Sequence, residues 1–121
     1  MFRFALIVGC LFGLTGVGLG AMGAHALKSK LTPNLLNAFQ IGARYQLIHA
    51  VLLVGLGLWG HALPSRWIDY ATLSIILGVL LFSGSLYLLA LLQWKVGIVT
   101  PIGGVFLIAG WLLMAIAAFK I

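Results

Sequence analysis

Long apolar runs separated by short polar stretches dominate the chain, and they predict four membrane-spanning helices. The first run covers residues 4–24, between Arg3 on one side and His25, Lys28 and Lys30 on the other. Its 21 residues match a ~30 Å hydrocarbon layer at 1.5 Å per residue. The apolar region of a secretory signal would be only about 7–15 residues, so the run is expected to persist as a helix. The second element is predicted to start outside the hydrocarbon. Thr32 offers an N-cap oxygen, Pro33 a preset φ in the first turn, and Leu31 with Leu36 a hydrophobic staple. A helix from there to about Leu63 measures ~45 Å, longer than the hydrocarbon is thick. Its span is therefore taken as 42–63, with the preceding turns lying in the interface, tilting, or bending near Gly42. Pro64 and Ser65 end this element, and Ser65 is placed to cap a third span at 67–92. Thr100-Pro101 repeats the cap-plus-proline start for a fourth span at 101–119. The expected fold class is an all-α membrane protein, an antiparallel bundle of four transmembrane helices forming one domain over residues 1–121.

Composition agrees with that reading. Hydrophobic residues make up 64% of the chain and charged ones 7%, against roughly 25% charged in soluble domains. The formal charge of +6 comes from seven Lys and Arg opposed by Asp69 alone. These cations are dispersed between apolar runs, which suits interfacial anchors reaching lipid phosphates, so membrane lipids are the expected partners. Nucleic acid is not, because it would need a clustered basic face. Trp59, Trp67 and Trp94 fall near predicted helix ends, as interfacial indoles do, whereas Trp111 falls inside the fourth span. Asp69 lies one turn after Arg66 at the start of the third helix, where the dipole and a local ion pair account for it. Cys10 has no intrachain partner for a disulfide. An even number of helices puts both termini on one face. That face carries Arg3, Arg66 and Lys120 against Lys28, Lys30 and Lys95 opposite, with Arg44 as a candidate fourth there, so the positive-inside rule has almost no bias to work on.

Within the first helix Gly9, Gly13, Gly16, Gly20 and Gly23 follow at spacings of 4, 3, 4 and 3, a stripe along one face. Such stripes let helix backbones approach closely where lipid supplies no hydrophobic drive for association. Packing within the monomer is the first expectation, a homo-oligomer interface the second.

The polar residues gain meaning when counted by depth. Alternate helices run in opposite directions, so the end of the first, start of the second, end of the third and start of the fourth share one side of the membrane. On that side fall His25, Arg44, Tyr45, Gln46, His49, Ser83, Ser85, Tyr87 and Thr100, while the other half is almost purely apolar. With Gly42 and Leu92 as boundaries, His49 and Ser85 are each about seven residues, or ~10 Å, inside. Polar groups at that depth need partners. An interhelical hydrogen-bond network is the simplest answer, but Arg44 has no carboxylate within the membrane to pair with. It must snorkel, use carbonyl oxygens, or meet an anion from outside the chain.

Four segments then carry a family resemblance: Gly20-Ala21-Met22-Gly23-Ala24-His25-Ala26-Leu27, Ala43-Arg44-Tyr45-Gln46-Leu47-Ile48-His49-Ala50, Leu81-Phe82-Ser83-Gly84-Ser85-Leu86-Tyr87 and Thr100-Pro101-Ile102-Gly103-Gly104. They resemble the signature segments of the YgdD/YwdK family of small inner-membrane proteins, with Met22 in place of a Phe. The resemblance implies a multi-pass protein of the bacterial plasma membrane and implies no activity.

Among function classes, a proton-coupled transporter normally needs a membrane carboxylate, and only His49 and Arg44 could stand in for one here. For an enzyme, His49 with Ser83 or Ser85 lacks an orienting acid. His25 and His49 lack a third metal ligand, so neither metal nor cofactor is expected. The reading left is a noncatalytic membrane protein whose polar half forms a pocket for a lipid head group or small anionic ligand. A small transporter or channel-like oligomer is the alternative.

Overall fold

The computed structural model describes residues 1–121 and contains four helices: α1 (Phe2–Ala24), α2 (Pro33–Ala62), α3 (Arg66–Leu92) and α4 (Val99–Phe119). Each is long and apolar enough to cross a membrane. Two of the three predicted caps form: Thr32 accepts from the Leu35 amide at 3.4 Å and Ser65 from the Trp67 amide at 3.2 Å. The third does not. α4 begins at Val99 behind Ile98, which makes no side-chain cap, and the Thr100 hydroxyl turns instead to Ser85 in α3. Pro101 still falls within the first turn, where its missing N–H leaves no helical bond unmade. At the other boundary, Gln93 ends α3 in the left-handed conformation at φ 54°, a common way for a helix to terminate.

Glycine contacts give the register. A Cβ on Gly9 would meet Val54, one on Gly16 would meet Leu47, and one on Gly23 would meet Phe39, so α1 and α2 run antiparallel. Gly42 against Ser83 and Tyr87, and Gly60 against Ile68, do the same for α2 and α3. Gly78 against Leu107 and Gly110 against Ile75 set α3 against α4. Gly42 is a close contact with α3, and α2 is assigned as one helix through it. The bundle is open: each helix packs on its neighbour in sequence, α1 brushes α3, and α4 approaches neither α1 nor α2 at the backbone.

All four buried residues of α1 are Ala or Gly (Ala5, Gly9, Gly16 and Gly23), which fits association by close backbone approach. Of the five glycines in the stripe, Gly9, Gly16 and Gly23 touch α2 tightly, Gly13 only loosely at 3.9 Å from Ala50, and Gly20 not at all within 4 Å. The stripe is thus used within the monomer, at every seventh residue.

Two apolar clusters flank the polar residues. Leu53, Leu56, Ile68, Ile75 and Leu107 belong to the larger, in the half of the bundle nearer the termini. Leu27, Phe39 and Ala90 form the smaller, at the opposite end, where the α1–α2 connection folds back with Leu31, Leu35 and Leu36. Residues 42–49 of α2 lie between them.

Candidate functional site

Gln46 is the centre of this layer. Buried to 5% exposure, it donates from Nε2 to the Phe12 carbonyl at 2.9 Å and to Thr15 Oγ1 at 2.7 Å, while its Oε1 accepts from the Tyr87 hydroxyl at 2.7 Å. One side chain therefore ties α1, α2 and α3, and the Thr15 proton is directed to the Leu11 carbonyl at 2.8 Å.

His49 performs the corresponding task toward α4. Its Nδ1 lies 2.7 Å from the Tyr45 carbonyl, which can only accept, so Nδ1 carries the hydrogen. Trp111 Nε1, which can only donate, lies 3.2 Å from Nε2. The ring is therefore neutral in this arrangement, with both nitrogens engaged. This bond spans the gap between α2 and α4, whose backbones do not meet.

The serines serve backbone groups. Ser83 donates to the Gly42 carbonyl at 2.7 Å. Ser85 donates its one proton to the Phe82 carbonyl at 2.8 Å, so Thr100 is the donor in their 2.6 Å contact. No buried side-chain nitrogen or oxygen lacks a partner.

The nine residues singled out by depth therefore share a half of the bundle without lining one pocket. Gln46, His49, Ser83, Ser85, Tyr87 and Thr100 form the hydrogen-bonded layer. His25 is exposed at the end of α1. Arg44 and Tyr45 are exposed as well, but the 100° between successive helical residues sends them apart. Tyr45 and His49 line a cleft of about 310 Å³ with Phe82, Gly104 and Trp111. Arg44 lines a separate notch of about 390 Å³ between α1 and α2, with Gly20, Gln40, Ala43 and Leu47. His49 thus neither shares a cavity with Arg44 nor bonds either serine. Sequence reasoning missed Thr15 and Trp111; the available signal was that Trp111 alone among the tryptophans sits away from a helix end. It also missed Ser74, which donates to the Phe106 carbonyl at 2.6 Å in the more apolar half.

This layer and the notch fall almost wholly inside a stretch that matches a known family. The model described as "Protein of unknown function (DUF423)" matches residues 19–104. The chain belongs to the DUF423 family. The match takes in Gly20, Arg44, Gln46, His49, Ser83, Ser85, Tyr87 and Thr100 and stops short of Trp111. Among DUF423 relatives, a UPF0382 membrane protein of Staphylococcus saprophyticus is 39% identical over 119 residues, covering 96% of this chain and 97% of the relative. The UPF0382 inner membrane protein YgdD of Escherichia coli K12 is 38% identical over 120 residues, covering 98% and 92%. No solved structure matches. The family reading drawn from the four segments holds, and with four apolar helices this DUF423 chain is a multi-pass protein of the inner membrane.

Proposed function

We propose that the protein is a noncatalytic membrane protein that holds an anionic group, a phosphate or a carboxylate, in the α1–α2 notch at Arg44. One observation carries this reading. Arg44 and Gln40 line the notch with no hydrogen bond to the chain, whereas the buried polar groups beside them are all satisfied internally. The sole acid, Asp69, is in the first turn of α3, toward the other end of the bundle. Gly20 supports the same reading, because nothing lies within 4 Å of where its Cβ would be, leaving room beside the cation. A guanidinium presents planar paired donors to an anion's oxygens, and the Gln40 amide adds another. The absence of catalysis is supported by the engagement of both His49 nitrogens and by the serine protons resting on carbonyl oxygens, which leaves no nucleophile–base pair.

The competing behaviour is an arginine that snorkels to whatever phosphate is nearest. Native mass spectrometry of the purified protein separates them. A retained acidic lipid or metabolite is expected, with occupancy that falls in Arg44→Gln while the fold persists. Equal retention by both proteins overturns the proposal.

A further inference from the structure

Below the notch, the lipid-facing side of the α1–α2 interface is indented again. A second lipid-facing hollow of about 300 Å³ is lined by Gly13, Val17, Leu47, Val51 and Val54; Leu47, seated against Gly16, lines both it and the Arg44 notch, so the two adjoin along one lipid-facing groove with Leu47 as the step between them. Its upper part holds Arg44 and Gln40; its lower part is apolar. From Arg44 to Val54 is ten residues of α2, or ~15 Å, half of a ~30 Å hydrocarbon layer and thus the depth of one leaflet. The floor is open where Gly13 touches Ala50 only at 3.9 Å and Gly20 touches nothing. A soluble anion would use only the upper part. We infer that the occupant is an acidic acyl lipid, its head group on Arg44 and Gln40 and one chain laid down the groove toward Val54. This rests on the proposed anion site and narrows its ligand to an amphiphile.

Recognition of the chain comes from shape. Bulk lipid is as apolar as the groove, so selectivity arises from the dispersion contacts of a fitted chain and not from leaving water. The test is a competition in native mass spectrometry, with equimolar dipalmitoyl- and dihexanoyl-phosphatidylglycerol added to delipidated protein in detergent. The wild type is expected to retain the long-chain lipid about fivefold over the short one. Gly13→Leu fills the groove from α1 and Val51→Trp fills it from α2, where Val51 is 75% exposed and holds no packing position. Both variants are expected to bring the ratio to about one and still bind the short-chain lipid, whereas Arg44→Gln lowers both lipids together. A wild type without chain preference, or groove-filled variants that keep it, overturns the inference and leaves the anion site standing. Unchanged retention of both lipids in Arg44→Gln removes the anion site itself.

Discussion

The two sides of α2 at one depth meet opposite fates. On the inner side, Gln46 and His49 are buried and fully hydrogen-bonded, joining α2 to α1, α3 and α4. On the lipid-facing side, Arg44 and Gln40 line an open notch and bond nothing in the chain. The inner groups have the donor and acceptor counts of a finished network, whereas Arg44 carries a charge that no group of this chain neutralises. A polar residue inside a membrane is thus not by itself a functional mark; its partners decide. Here they assign structure to the inner side, and the lipid-facing side is the one for which we propose binding.

The largest effect expected from breaking a closed contact is at Gly103, where a Cβ would run into the Phe82 amide nitrogen and fall 2.7 Å from its Cα. Gly103→Leu should therefore lower stability by about 3 kcal/mol or more in a denaturant titration in mild detergent, since backbone must move. Gly20→Leu, at the open notch, should change stability by less than ~0.5 kcal/mol while reducing lipid retention. If the two glycines behave alike, the contrast between closed and open contacts fails. Next is Gln46→Leu, which strips partners from Thr15, Tyr87 and the Phe12 carbonyl; the same titration should show a loss of about 2 kcal/mol with lipid retention unchanged. Smaller is the coupling between His49 and Trp111. A double-mutant cycle with His49→Leu and Trp111→Phe should give about 0.6 kcal/mol, and at most ~1.7 kcal/mol, the range for interhelical hydrogen bonds in membranes. Coupling near zero would mean that α4 is held by α3 alone.

Much of this was legible in the chain, for a definite reason. Rise per residue is constant, so counting from helix ends placed Gln46, His49, Ser83, Ser85 and Thr100 in one layer correctly. Rotation about the axis was not legible, because what each side chain meets depends on the lateral order of the helices. Arg44 and Tyr45 are adjacent in sequence, yet they line different clefts. The same lack of lateral order hid Trp111, whose bond to His49 bridges two helices whose backbones do not meet. Local rules succeeded where only local atoms compete, as at Thr32 and Ser65. At Thr100 the rule failed because a hydroxyl of α3 lay within 2.6 Å. The glycine stripe foretold close packing of α1, but not that alternate members would leave a groove.

The central claim, that the inner layer holds the fold while Arg44 holds a ligand, is tested most directly by how much an acidic lipid stabilises three proteins. Unfolding free energy would be measured with and without long-chain phosphatidylglycerol at about ten times its Kd, where linkage predicts a gain of about 1.4 kcal/mol. The wild type should show that gain. Gln46→Leu should start lower and gain the same amount, and Arg44→Gln should start within ~0.5 kcal/mol of the wild type and gain almost nothing. A full gain in Arg44→Gln, or a gain abolished by Gln46→Leu, would contradict the assignment of the two sides.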